Sequence, residues 1–204
     1  PYIAADLDKA DIADWDAAQY AALSTRGGVQ FALPKYHGAL ALYYNKDIFD
    51  ARGVDYPERD WTYYDYLNAM RRVASGTEEG GEGAIWGSMC DIAWDRIQVH
   101  VNAWGGHLVD PLDPTRSLMG EAESLAAMEW LRARMWDDRL MASFLDLQNL
   151  ETREAFWRGH LAMVEDGSWS LKDILENAPF RVGVTTLPKG PAGEVTLATT
   201  DGFA

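Results

Sequence analysis

The chain has 204 residues, one cysteine and a formal net charge of −14 from 18 basic and 32 acidic side chains. Apolar residues make up 48%, enough to bury a sizeable core in one large or two small domains, and this excludes wholesale disorder. The acidity and the lack of any Lys/Arg cluster argue against nucleic acid and anionic lipid, the lone Cys90 excludes an internal disulfide framework, and no apolar run approaches the ~20 residues of a membrane-spanning helix.

In chain order, Asp11 to Ser24 reads as a helix stopped by Gly27-Gly28. Val29 to Leu33 reads as a short strand ended by Pro34, and Ala39 to Tyr44 as a second, nearly all apolar and so covered on both faces. Asn45 caps a helix over Lys46 to Arg52, with Gly53 as its stop. Thr62 and Asp65 form a capping-box start for Tyr63 to Val73. Glu78 to Gly83 is an acidic, glycine-rich loop. A strand over Ala84 to Ser88 precedes a helix whose apolar stripe is Trp94, Ile97, Val101 and Trp104. His107 to Val109 reads as a brief strand and Pro111 to Pro114 as a turn.

Glu121 to Asp138 reads as a long helix with Leu125, Met128, Leu131 and Met135 inward. A helix over Thr152 to Arg158, a strand over Leu161 to Val164, a helix over Ser170 to Glu176 and a strand over Phe180 to Leu187 follow. A final strand begins near Glu194. Strands and helices alternate, and the apolar strands do not alternate with polar residues. The expected fold is therefore α/β with a mostly parallel sheet flanked by helices. The Pro1 start and the strand-like end at Ala204 read as truncated ends.

Most catalytic chemistry is missing from the pattern. Gly80 to Gly83 lacks the Lys-Ser/Thr of a phosphate loop, and no Gly-x-Ser-x-Gly elbow occurs. His37, His100, His107 and His160 show no metal-ligand spacing, so neither metal nor cofactor is expected. Glu165 and Asp166 read as a polar loop at a strand end, with a binding role for one of them open. Cys90 reads as a small buried hydrophobe. Nine Trp, nine Tyr and six Phe make the chain aromatic-rich, and indoles serve core edges and ligand pockets alike.

Three ordered stretches carry a resemblance. The first is Phe31 to Gly38 with Leu42-Tyr43-Tyr44-Asn45-Lys46-Asp47-Ile48-Phe49, then Gly53-Val54, Pro57 and Trp61-Thr62. The second is Asn102-Ala103-Trp104-Gly105-Gly106. The third is Phe156 to Val164 with Gly167-Ser168-Trp169, followed by Val182-Gly183-Val184 and Leu187-Pro188. Together they resemble the extracellular solute-binding proteins of ABC sugar importers, over about Val29 to Ala204.

The resemblance implies a periplasmic-binding-protein fold of two lobes closing on a ligand. Residues 1–33 would be a tail piece of the first lobe with its crossing strand, 34–187 the main body of the second lobe, and 188–204 a return strand. It implies an extracytoplasmic monomer that binds a sugar or oligosaccharide, delivers it to ABC permease subunits, and makes or breaks no bond.

Trp169 is the cleft candidate, since its spacing from Gly167 matches the family pattern; otherwise it is a core-edge indole. Tyr36 and His37 face the cleft or pack the hinge. Trp94 and Trp104 belong to the cleft or to the stripe. Asp166 is a further binding candidate, and Asp201 accepts sugar hydroxyls or caps a turn. Trp61, Trp130, Trp136 and Trp157 are assigned to packing. The alternatives are a glycoside hydrolase-like enzyme, pairing Glu165 or Asp166 with Asp201, and an extracytoplasmic sensor lobe.

Overall fold

The structure, a computed structural model, describes residues 12–25, 27–77, 83–89, 91–147 and 150–203. The expectations for Cys90 and for most of the Glu78 to Gly83 loop lie outside the described residues. The chain divides into two compact units, Pro1–Ala39 with Leu197–Ala204, and Leu40–Thr196.

In the first unit, helix α1 (Ala17–Ala22) starts at Asp16, whose side chain accepts from the Gln19 amide at 3.0 Å. Strand β1 (Leu33–Asn45) begins here and pairs antiparallel with the last strand, β6 (Ala198–Phe203). The sequence expectation of two strands separated by Pro34 is corrected, because β1 runs through the proline. Pro34 sits opposite Gly202, and the register shifts between Pro34 and Tyr36. At such an irregularity a missing N–H costs little.

In the second unit, Leu40 to Asn45 of β1 lies between β4 (Met163–Gly167) and β5 (Val182–Thr185), antiparallel to both. The strands β2 (Ser88–Met89) and β3 (Met141–Ala142) run parallel, and Trp86 makes a parallel bridge to Leu161. The four-stranded sheet is thus antiparallel throughout, where a mostly parallel one was expected, and the parallel pairing is confined to the separate β2–β3 pair and the Trp86–Leu161 bridge. The apolar run of β1 reports burial of both faces, which covering helices impose whatever the direction of the neighbouring strands. The core gathers Tyr43, Trp86, Phe156, Leu161, Val164 and Ile174.

Local chemistry sets the helices. Helix α2 (Lys46–Arg52) begins at Asn45, whose carboxamide oxygen accepts from the Asp47 and Ile48 amides. It ends at Gly53, in the left-handed region at φ 59° that glycine adopts without steric cost. Helix α3 (Tyr63–Val73) carries the full Thr62–Asp65 capping box.

Helix α4 (Trp94–Ala103) keeps its expected bounds but is rotated. Its buried residues are Arg96, Val99, His100, Val101 and Ala103, while Trp94 is 68% exposed. Helix α5 (Ala122–Arg132) continues as a π turn over Ala133–Asp137. Leu131 and Met135 are buried as expected, but Leu125 is exposed. Trp136, expected in the packing, is 61% exposed. Helices α6 (Thr152–Trp157) and α7 (Leu171–Asn177) bracket β4 in the chain.

Candidate functional site

Every residue of β4 is buried, and the dipeptide that carries the site's charge lies just before its last residue, Gly167. Glu165 and Asp166 lie inside β4, not in a loop as the sequence suggested. A buried carboxylate needs a compensating partner, and α4 supplies one for each. Asp166 accepts from the Arg96 guanidinium at 2.8 Å and from the Gly167 amide at 2.7 Å. The other terminal nitrogen of Arg96 bonds Asp95. Glu165 meets His100 Nε2 at 3.1 Å, and His100 Nδ1 lies 2.7 Å from the Tyr63 hydroxyl. Arg96 and His100 are four apart on α4, hence one above the other on its face. Tyr66 donates to Ser88 Oγ at 2.6 Å beside this row.

Burial alone would push the Glu165 carboxyl up. His100, then Arg96 and the Tyr66 hydroxyl, outweigh it and hold the group below the ordinary glutamate range. A depressed folded-state value means stability that is present at neutral pH and lost as pH falls through that value. The gap in urea midpoint between the protein and Glu165→Gln is therefore expected to narrow below about pH 4.3, the ordinary glutamate value. A gap that stays constant down to acid pH contradicts the assignment.

Past Gly167 the chain makes a single 3-10 turn, Ser168–Ser170, that turns Trp169 back over the glycine. The approach is close enough that a Cβ on Gly167 would fall 2.1 Å from the indole. The Arg96 guanidinium stands 5.7 Å from the ring centroid, within cation–π range. Trp169 remains 38% exposed. It borders a cavity of about 180 Å³ whose polar walls include Asp91, Arg96, Glu151, Arg153 and Asp166. An apolar ring face beside carboxylates and guanidinium groups suits a ligand with both C–H faces and hydroxyl edges.

The structure thus brings together two of the residues singled out from sequence, Trp169 and Asp166. Tyr36 and Asp201 are placed opposite each other across β1 and β6, with His37 opposite Thr200. Tyr36 is half-buried and its carbonyl accepts from Gln19, whereas His37 and Asp201 are exposed. Trp94 stands exposed at the start of α4. Trp104 is half-buried, edge-on to Tyr63 at 4.5 Å and beside Trp130 at 5.8 Å, an arrangement of packing aromatics.

Arg96 was missed by the sequence reading. Its signal was its spacing of four from His100, two polar residues that the apolar stripe beside them hid. Among the described residues, no group of three or more His, Cys, Asp or Glu side chains is placed to hold a metal ion, and no helix is long and apolar enough to cross a membrane.

The family profile of bacterial extracellular solute-binding proteins matches residues 1–204. A Brucella abortus chain described as a binding protein is 30% identical over 178 residues, covering 83% of this chain and 40% of its own length. An ABC substrate-binding protein of Listeria monocytogenes, solved in complex with cycloalternan, superposes with a TM-score of 0.85 at 23% identity, over 97% of this chain and 48% of that one. UgpB of Mycobacterium tuberculosis, solved with glycerophosphocholine, gives a TM-score of 0.74 at 23% identity, over 94% of this chain and 46% of that one. The chain spans less than half the length of each of these relatives. The structural likenesses give the fold, an α/β architecture of the periplasmic-binding-protein kind, and the sequence match across all 204 residues makes the chain a member of the bacterial extracellular solute-binding protein family.

Proposed function

We propose that this chain supplies a wall of the ligand cleft in an extracytoplasmic receptor for carbohydrate. The receptor closes by hinge motion and hands its ligand to the membrane subunits of an ABC importer. The unit Leu40–Thr196 forms the main body of one lobe, and Pro1–Ala39 with Leu197–Ala204 contribute to the other. The observation that carries this reading is the Trp169 indole, part exposed and seated on Gly167 beside a cavity lined by carboxylates and guanidinium groups. The cycloalternan held by the Listeria relative supports a carbohydrate ligand. Tyr36, His37 and Asp201 are further candidates to bind sugar hydroxyls, and the exposed Trp94 is a candidate second aromatic face. The receptor acts as a monomer.

The reading as a binding protein, not a hydrolase, is supported by the ion pairs of Glu165 and Asp166. Each carboxylate is already committed to a cation or imidazole of α4, so neither is poised to trade a proton with a glycosidic oxygen.

Isothermal titration of the full-length protein against linear and cyclic oligosaccharides, with glycerophosphodiesters as a comparison, tests the proposal. Heat with one sugar class is expected, and Trp169→Ala should weaken it at least about tenfold, or 1.4 kcal/mol. Binding of a peptide or an ion with no heat from any sugar overturns the carbohydrate assignment.

A further inference from the structure

Next in sequence or one helical turn from the cavity-lining Asp166 and Arg96 stands a buried row of groups that does not line the Trp169 cavity. Tyr63 on α3, His100 on α4 and Glu165 on β4 connect three elements by two polar contacts of 2.7 and 3.1 Å. The residue after Glu165 is Asp166, and one turn before His100 is Arg96. Their ion pair at 2.8 Å is the second rung between the same strand and helix. Arg96 is the side chain that stands against the Trp169 ring.

A helix held at one point can roll about its axis, whereas two rungs a turn apart fix its azimuth against the strand. Helix α4 has no side-chain cap at Ala93 to fix its start. The buried face of α4 combines the apolar Val99, Val101 and Ala103 with the two polar rung residues, Arg96 and His100, whose burial apolar packing alone would not favour. That accounts for the departure of α4 from its expected apolar stripe.

We propose that Glu165, His100 and Tyr63 are positioning residues for the ligand site. They set the roll of α4, place the Arg96 guanidinium between Asp166 and Trp169, and so fix the indole in its ligand-facing orientation. The importance of that orientation rests on the carbohydrate reading, but the positioning itself does not. The groups facing Glu165 are His100 and Arg96 from α4 and Tyr66 from α3. Neutralising the carboxylate releases the lower rung while leaving Asp166 and Arg96 chemically intact.

The test is ¹⁹F NMR of the full-length protein labelled with 5-fluorotryptophan, the Trp169 resonance being assigned by its loss in Trp169→Phe. Glu165→Gln, which keeps the shape and removes the charge, is expected to displace the Trp169 resonance while resonances of distant indoles stay in place. His100→Leu should do the same. His100→Gln, which retains a donor toward Glu165, should restore the native position.

A merely structural role would lower thermal stability without singling out this indole. A Trp169 resonance unmoved in folded Glu165→Gln overturns the proposal. If that variant does not fold, Tyr63→Phe, which removes one hydroxyl and keeps the ring, is read in the same way: displacement supports the proposal and an unmoved resonance overturns it. No ligand is needed, so a failure to bind sugars would leave this result standing.

Discussion

Gly167→Ala is expected to remove most of the ligand affinity while leaving the fold nearly as stable as before. The backbone at Gly167 is extended, at φ −80° and ψ 159°, so alanine brings no conformational strain. The conflict is with one side chain. The new Cβ would fall 2.1 to 2.3 Å from three atoms of the Trp169 indole, far inside contact distance, and the ring has to leave. Because Trp169 is part exposed, it can swing toward solvent, and the cost in stability stays below the ~1–3 kcal/mol of overpacking a sealed core.

Losing an aromatic anchor costs about 2 kcal/mol or more of binding, roughly 30-fold in Kd. The measurement is a titration calorimetry and thermal-melt pair on the same variant. Native-like affinity in Gly167→Ala would mean that the indole is not the anchor. A collapsed melting temperature would mean that the ring is held more tightly than its exposure indicates.

The parts of the molecule legible in the sequence are those set by local chemistry. Asn45, Gly53, Thr62 and Asp65 act within one helical turn of their own position, so the ends of α2 and the start of α3 follow from residue types alone. The glycine-then-tryptophan order at positions 167 and 169 belongs to the same class, since the 3-10 turn between them is local. What the sequence did not reveal depends on partners far along the chain. The Pro34 position reads as a strand end until β6, some 165 residues later, supplies an irregular pairing that tolerates it.

The orientation of α4 shows the same limit most clearly. Its apolar residues at 94, 97, 101 and 104 suggested one face; Val101 is buried as that face requires, yet Trp94 is exposed and Arg96 and His100 are buried. Burying those two is unfavourable in isolation and becomes acceptable only because Glu165 and Asp166, about 65 to 70 residues away, are buried opposite them. For the same reason the adjacent carboxylates looked like a loop. Each half of the pairing, seen alone, has the signature of a solvated surface.

That mutual dependence makes Arg96 the position where a single substitution should be most damaging. The Arg96 and Asp166 side chains retain about 10% and 8% of their exposure and meet at 2.8 Å. In Arg96→Met the aliphatic stem is conserved and the charge is lost, leaving Asp166 buried without its cation. Breaking a buried pair from one side typically costs about 3–5 kcal/mol, a large part of the ~5–15 kcal/mol that holds a typical domain together. Adding Asp166→Asn should recover most of that loss, because the uncompensated charge is gone and the carboxamide oxygen that replaces the carboxylate can still accept from the Gly167 amide. Ligand affinity should not recover with it, since the cation beside Trp169 remains absent. Urea unfolding of the two single variants and the double variant, with calorimetric titration of each, separates the two effects. A cost under about 1 kcal/mol for Arg96→Met, the range of an exposed ion pair, would show that water reaches Asp166 and that the pair does not hold α4 to the strand.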